Sequence, residues 1–451
     1  MAGRNFAFAL ALVALGGCAS FSPDGGLDDV GKVVSERIGA EVRWVRSDAD
    51  RDAVAARVKE LLSAPLGPDQ AVQIALLNNR GLQAAYAELG ISEAERVQAG
   101  RWVNPGFSYE YLTRGDELEI TRKLVFDVLA LFTMPRRVEI ATQRFEAAKL
   151  RAAADALQAA ADARRAWFDA VAAVQSAQYA AKVKASAEAG AELATQMARV
   201  GNFSALDQAR EQAFDAEAGA RLARARHEAV AANERLARSL GLAEGPAAFR
   251  LPVRLPDLPK APREPGPLES TALRERLDVQ AAMRDAEALA TALGLTKATR
   301  YVDVLELGVE HNSASGQSPQ RGWELGVRLP VFDLGDARTA RAQHVYMQAV
   351  DRAAQIAVDA RSEVREAYAA YRTAFTVAAQ YRDEIVPLRQ KISDESLLRY
   401  NGMLLSVFEL LADAREQAAS VDGYIRALRD FWLSESDLQM ALAGRTPRSI
   451  Q

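Results

Sequence analysis

The chain has 451 residues, of which 49% are hydrophobic and 26% are charged, and its formal net charge is -4. This balance is ordinary for a folded chain with an apolar core, and it lacks the basic footprint of nucleic-acid binding. We therefore expect a folded protein of several domains' length, with no nucleic-acid partner.

The N-terminal residues predict a cleaved export signal. One positive charge at Arg4 precedes the apolar run Phe6 to Leu15, and two glycines then lead to Cys18. The run is too short to cross a bilayer, because a spanning helix takes about 20 apolar residues. Leu15-Gly16-Gly17-Cys18 resembles a bacterial lipobox, which implies cleavage before Cys18 and its acylation. Ala19 follows where Asp would suggest inner-membrane retention, so the outer membrane is favoured. The alternative, a chance cysteine in a plain signal peptide, is disfavoured by the cysteine's position.

An internal repeat fixes the domain plan, because three segments recur in the same order. Ala75-Leu76 and Leu82-Gln83-Ala84-Ala85 recur 197 residues later, Arg122 to Val128 recurs 206 residues later, and Ala209-Arg210-Glu211-Gln212-Ala213 recurs unchanged 205 residues later. We read this pattern as a duplication. The expected domains are a signal peptide at 1–17, a lipidated N-terminal segment at 18–64, the first copy at 65–242, a proline-rich linker at 243–268, the second copy at 269–444 and a C-terminal tail at 445–451.

The first copy predicts a helix followed by a β-hairpin. Apolar residues between Asp69 and Arg101 recur at helical spacing, and Asn104-Pro105-Gly106 stops the helix. Apolar and polar residues alternate from Phe107 and again from Leu118, on either side of a turn at 114–116.

The second copy repeats the hairpin at 302–309 and 323–329, around a polar loop at 312–320. Each strand is about the length that a tilted membrane strand needs. Because an open four-stranded sheet in lipid would leave its edges unpaired, several chains must combine if these strands lie in a membrane. One segment departs from the pattern. Residues 125–132 are more continuously apolar than a strand facing a wet lumen should be, and no counterpart of that length follows Asp333.

Each hairpin is followed by a long helix, a short turn and a returning helix. The long stretches run from Arg136 to Arg199 and from Ala337 to Arg399. About 64 helical residues extend about 95 Å. Pro387 should kink the second stretch, because proline removes a backbone donor and clashes with the preceding turn. The turns are the first tip, 200–205, and the second tip, 400–406.

The residues of catalytic and metal sites are sparse. Cys18 is the only cysteine, and the three histidines, His227, His311 and His344, stand in no metal-binding spacing. No glycine-rich phosphate loop is present, so ATP would have to be used by a partner. We expect no enzyme activity, no metal and no cofactor.

The sequence resembles the TolC-like outer membrane efflux family, in its lipoprotein branch. The resemblance covers Pro65 to Gly444 and is carried by the duplicated plan, by Gln98-Ala99-Gly100 and Asn104-Pro105, by 329–333 and by the two tips. It implies a mainly α chain with a small β part. Long antiparallel helical hairpins would form an α-barrel in the periplasm, and the four strands would join a trimeric, 12-stranded transmembrane β-barrel among outer membrane lipids. The implied partners are two further copies, a periplasmic adaptor protein and an inner-membrane pump.

The resemblance also implies which residues act. The adaptor-facing tips would be formed by Arg199, Val200, Gly201, Asn202, Phe203, Ser204, Tyr400, Asn401, Gly402, Met403, Leu404 and Ser406. Glu409, Asp413 and Asp207 are candidates for the pore constriction, where a ring of carboxylates would select cations. The alternative is that these acids lie on a solvated helix face. Gly402 comes one residue earlier than in the family pattern, which bears on the choice of adaptor.

The favoured function is a passive exit duct for small solutes in a tripartite efflux system. Two alternatives stay open: a non-conducting periplasmic coiled-coil lipoprotein that serves as a scaffold, and a duct for type I protein secretion. The hairpins favour a duct, because a scaffold has no use for two alternating strand pairs at the same repeat position.

Overall fold

The computed structural model describes residues 19–245, 249–264 and 266–444. The predicted signal peptide, the predicted lipidation site at Cys18 and the predicted C-terminal tail lie outside these residues. The chain divides into two compact units. Within the described residues, the strand unit comprises 19–30, 86–152 and 278–358, and the tip unit comprises 31–85, 153–245, 249–264, 266–277 and 359–444. Each unit takes residues from both copies of the repeat, so a single copy is not a compact unit.

The elements follow the order that the repeat predicts. The N-terminal segment and first copy form α1 (Leu27–Ile38), α2 (Asp48–Leu61), α3 (Pro68–Asn78), α4 (Arg80–Ala99), β1 (Gly106–Arg114), β2 (Glu117–Asp127), α5 (Val128–Arg199) and α6 (Ala205–Ser239). The second copy forms α7 (Leu268–Glu275), α8 (Leu277–Ala298), β3 (Leu305–Ala314), β4 (Gln320–Val327), α9 (Asp336–Gln380), a π-helical turn (Tyr381–Ile385), α10 (Val386–Asn401) and α11 (Val407–Ala443). The predicted class, mainly helical with four strands, is confirmed.

The single helix predicted from Asp69 to Arg101 is wrong, because the chain breaks it at Asn79. The backbone of Asn79 is extended, with ψ 118°. Its side-chain carbonyl accepts the N–H of Leu82 (3.1 Å), and its amide donates to the carbonyl of Ser239 (3.0 Å). Arg276, 197 residues later, is extended in the same way between α7 and α8. The break is therefore part of the repeated unit.

The apolar run at 125–132 lies across a junction between strand and helix. Strand β2 ends at Asp127, and α5 begins at Val128, eight residues before the predicted start at Arg136. The Asp127 carboxylate accepts the N–H of Ala130 (2.8 Å), which caps the new helix. The run is thus partly strand and partly the first turns of a helix, and Asp127 marks the junction between the two.

The interruption predicted at Pro387 is a π-helical turn just before the proline. Residues 381–385 widen the helix: the N–H of Val386 donates to the carbonyl of Tyr381, five residues back, and Pro387 follows at the start of α10. Opposite this turn, α11 carries Gly423. A Cβ atom at Gly423 would lie 2.7 Å from the Cε1 atom of Tyr381, so the ring of Tyr381 uses the space that the glycine leaves.

The strand unit contains one antiparallel sheet in the order β1-β2-β3-β4. The pairing of β2 with β3 joins the two copies of the repeat. The N-terminal segment packs onto the same unit: the N–H and the hydroxyl of Ser22 donate to the buried carboxylate of Glu93 at 2.7 and 2.5 Å. Lys149 on α5 binds Asp29 at 2.8 Å. These contacts fix the segment that follows the predicted lipidation site.

The core of the tip unit is aromatic. The indole of Trp167 donates to the carbonyl of Leu66 (2.7 Å), and Phe168 stacks on Trp432 with 5.2 Å between ring centroids. The proline-rich linker takes part in this core, because Leu255 and Leu258 are buried and Trp432 donates to the carbonyl of Pro256 (3.1 Å). Over the described part of its length, the linker is therefore an extended segment that packs against this aromatic core.

Candidate functional site

One face of the sheet in the strand unit carries two neighbouring apolar rows, and the row beyond them holds Tyr109, Arg122, His311 and Arg321. The register places Phe107, Leu124, Val309 and Trp323 in one apolar row and Phe126, Leu307 and Leu325 in the next. These side chains are far from buried: Trp323 is 76% and Phe107 is 67% exposed. A single chain therefore leaves a broad apolar surface uncovered, which marks a surface that meets a partner or lipid.

The opposite face of the sheet is polar. Its rows contain Ser108, Lys123, Glu310 and Gly322, then Glu110, Thr121, Asn312 and Gln320. Lys123 forms an ion pair with Glu324, and the Asn312 amide donates to Glu119 (2.6 Å). The alternation seen in the sequence thus becomes a sheet that is apolar on one side and polar on the other.

The first tip is a tight helix-to-helix turn. Gly201 adopts a left-handed conformation (φ 77°), and the N–H of Asn202 donates back to the carbonyl of Met197 (2.9 Å), which closes the end of α5. Ser204 then starts α6, because its hydroxyl accepts the N–H of Asp207 (3.1 Å). The predicted first tip is therefore a turn capped on both sides.

The second tip has the same construction with one difference. The N–H of Leu404 donates to the carbonyl of Arg399 (2.8 Å), and Ser406 caps α11. The left-handed residue here is Met403 (φ 56°) and not Gly402, whose φ is -82°. The early glycine noted in the sequence therefore does not occupy the left-handed position of this turn.

An aromatic contact joins the two tips. Phe203 of the first tip stacks on Phe408 in the first turn of α11, with ring centroids 4.4 Å apart and planes 26° apart. The two residues are 205 positions apart, which is the offset of the repeated pentapeptide. The tips of both copies therefore lie beside each other at matching heights.

Each of the three constriction candidates has a partner within its own chain. The carboxylate of Glu409 accepts the N–H and the hydroxyl of Ser406 at 3.1 and 2.9 Å, which completes a capping box. Asp207 accepts the hydroxyl of Ser204 (2.6 Å) and binds Arg210 (3.1 Å). Asp413 accepts the hydroxyl of the buried Ser396. These contacts fix the carboxylates in place, and their part in a constriction stays a prediction.

Sequence reasoning missed a buried ion pair between the copies. Glu211 on α6 is 3% exposed and binds Arg415 on α11, whose guanidinium also lies 4.2 Å from the ring centroid of Phe214. Both charged residues belong to the pentapeptide that the repeat conserves between its copies. The identical pentapeptide in both copies pointed to these residues, although the sequence alone does not show which two charges pair.

A groove of about 1130 Å³ lies between α5, α6 and α11 of the tip unit. Its charged lining is Arg210, Arg221, Arg224, Arg415, Arg426, Arg429, Asp169, Glu217, Glu228, Glu416 and Asp422. Burial raises the pKa of Asp169, and Arg429, 3.9 Å away, opposes the shift. Because six arginines and five acids are interspersed in this lining, the charge of the groove favours neither anionic nor cationic ligands.

The described residues contain no group of three or more His, Cys, Asp or Glu side chains arranged to hold a metal ion. Within the same part of the chain, no helix combines the length and the apolar character needed to cross a bilayer.

Comparison with solved structures identifies the fold. A membrane protein from Pseudomonas aeruginosa has a TM-score of 0.71 at 19% identity, over 83% of this chain and 93% of that one. The outer membrane protein VceC from Vibrio cholerae has 0.70 at 17%, over 84% and 97%. The MtrE outer membrane channel of Neisseria gonorrhoeae, in its open state, has 0.69 at 17%, over 88% and 91%. By sequence, the chain matches no protein-family model and no curated protein. The chain therefore has the fold of outer membrane channels.

Proposed function

We propose that this protein, which has the fold of outer membrane channels, is the passive exit duct of a tripartite efflux system. The observation that carries the proposal is the two-faced sheet. Its exposed apolar face suits lipid hydrocarbon, and its polar face suits a water-filled lumen. The outer membrane is the location that this surface and the lipobox at Cys18 favour.

The edges of the sheet support assembly from several chains. In the described residues β1 and β4 each pair on one side only, so each presents a row of free backbone donors and acceptors. Each unpaired group in hydrocarbon would cost several kcal/mol, and joining β4 of one chain to β1 of the next removes that cost. The family resemblance implies three chains and twelve strands.

The two tips are the proposed docking site for a periplasmic adaptor protein, with the energy supplied by an inner-membrane pump. Exposed apolar residues in and beside the tips support this assignment: Val200, Leu206, Met403 and Leu404 are 71%, 61%, 94% and 81% exposed. Lipid on Cys18 would aid sorting and insertion, because an assembled barrel would hold the membrane without it.

Conductance in planar bilayers tests the proposal. Protein purified in detergent should produce discrete conductance steps with a preference for cations. A non-conducting scaffold would produce none, and that result would reject the duct.

The acids near the tips are tested in the same experiment. Glu409→Gln and Asp413→Asn remove charge while keeping acceptor atoms for Ser406 and Ser396, so the turns keep their capping. We expect the double variant to lose cation preference, since a carboxylate ring selects cations. Asp257→Asn, an exposed acid of the linker, is the control. Unchanged selectivity with persisting conductance would remove these acids from the constriction and leave the duct intact.

A further inference from the structure

Each copy of the repeated pentapeptide has one Arg and one Glu, so two Arg–Glu ion pairs between the copies are conceivable. Among the described residues of one chain, one of these two pairs is formed. Arg415 of the second copy binds the buried Glu211 of the first. The remaining members are Arg210 of the first copy and Glu416 of the second. Both are exposed, with 62% and 59% of their side-chain surface accessible.

The two pentapeptides lie at the same height on their helices. Phe203 contacts Phe408, an offset of 205, and Glu211 contacts Arg415, an offset of 204. Both offsets match the 205-residue period of the repeat. Within one chain, the Arg of the second copy therefore faces the Glu of the first copy, in register.

Arg210 and Glu416 both border the groove between α5, α6 and α11, and among the described residues each pairs within its own helical hairpin. Arg210 binds Asp207, three residues earlier on α6, at 3.1 Å. Glu416 binds Arg389 on α10 at 3.0 Å. Solvent-exposed pairs of this kind contribute at most about 1 kcal/mol, so both side chains are free to exchange partners.

We propose that Arg210 forms an ion pair with Glu416 of the partner subunit, so that the contact made inside each chain recurs between chains. The inference rests on the proposed trimer. In a closed ring built from head-to-tail contacts, each copy of the repeat has a copy of the other kind on both sides. The Arg of every copy then faces the Glu of the preceding copy. Six such pairs alternate around the ring, three within chains and three between them.

The strand pairing in the sheet separately supports a head-to-tail contact between copies of the repeat. Strand β2 of the first copy pairs with β3 of the second. Repeating that relation between chains places β4 beside β1 of the next chain, and those are the strands with free edges. A head-to-tail contact between copies is thus indicated independently in both compact units.

Thiol cross-linking tests the proposal on the full-length, acylated protein. Arg210→Cys and Glu416→Cys are combined in one chain and treated with a short bismaleimide, and Cys18 does not compete once it is acylated. We expect the monomer band on a denaturing gel to shift to covalent dimers and trimers. The matched control, Glu211→Cys with Arg415→Cys, should give only a monomer with an internal link.

A second measurement separates the possible failures. Native mass spectrometry of the same samples counts the chains in each complex. If trimers are present but Arg210→Cys with Glu416→Cys gives only internally linked monomers, the inter-subunit pair is overturned and the duct is not. If no trimers exist, the proposed function fails and the pair fails with it.

Charge reversal provides a test without cysteines. Arg210→Glu places two acids together between chains and should lower the fraction of trimer that survives warming in detergent. Adding Glu416→Arg restores opposite charges and should recover that fraction. A double variant no more resistant than Arg210→Glu alone would contradict direct pairing.

Discussion

At the scale of single residues, Met403 has the only left-handed backbone among the non-glycine residues that the structure describes. A side chain in this conformation costs roughly 1–2 kcal/mol relative to right-handed conformations. Met403 is 94% exposed, so packing does not compensate for the strain. The turn keeps the strained residue although a glycine stands immediately before it.

Met403→Gly should therefore stabilise the second tip. We expect the amide of Leu404, which donates to Arg399, to exchange its hydrogen about fivefold more slowly, the change that about 1 kcal/mol produces. Hydrogen exchange followed by mass spectrometry of the tip peptide measures this. Asn401→Gly, at a helical position, is the control and should accelerate exchange. Faster exchange in Met403→Gly would show that the left-handed residue is not strained.

The ion pair between Glu211 and Arg415 was not predictable in full. The sequence marked Glu211 and Arg415 as repeated residues but could not pair them, because pairing depends on which helices become neighbours. In the same way, Asn79 breaks a helix through a bond to Ser239, 160 residues away along the chain. Helical periodicity carries no record of such a partner, which is why the break was not predicted.

At the scale of elements, the order of strands and tips was predictable, but several boundaries were not: the loop expected at 312–320 is shorter, because β3 runs to Ala314 and β4 begins at Gln320. Alternation around a turn at 114–116 identified a hairpin, since facing residues of a strand recur with a period of two. The start of α5 was placed eight residues late, because proline at 135 is disfavoured inside helices and the apolar residues before it suit a strand equally well. Apolar runs without a period do not distinguish the end of a strand from the start of a helix.

The ring of Tyr381 in the π-helical turn packs against Gly423, and this contact gives a prediction. Gly423→Ala should destabilise the fold by about 1–3 kcal/mol, because the new Cβ overlaps the ring of Tyr381. Gly219→Ala is the matched control on α6, where the added Cβ would lie 3.6 Å from Lys184, an ordinary contact. That change should stabilise by up to about 1 kcal/mol, as alanine does in helices.

Thermal unfolding in detergent measures both variants. On a Tyr381→Ala background the obstructing ring is gone, so Gly423→Ala should no longer lower the melting temperature. An equal loss on both backgrounds would place the effect of Gly423 elsewhere.

At the scale of the whole molecule, the duplication supports the proposed assembly. Each chain carries two related hairpins that form one four-stranded sheet with two free edges. The edges and the exposed apolar face are both liabilities for a single chain in water. The proposed closure by further copies would resolve both, and it would give the repeated Arg and Glu residues a second set of partners.

The most direct test is to count chains in the protein without its lipid. Cys18→Ala, exported with a signal peptide that is not acylated, removes the proposed anchor and leaves the sheet unchanged. Native mass spectrometry should find complexes of three chains, released from membranes only by detergent. A monomer that leaves the membrane freely in water would contradict the account, because the sheet would then not be the part that holds the membrane.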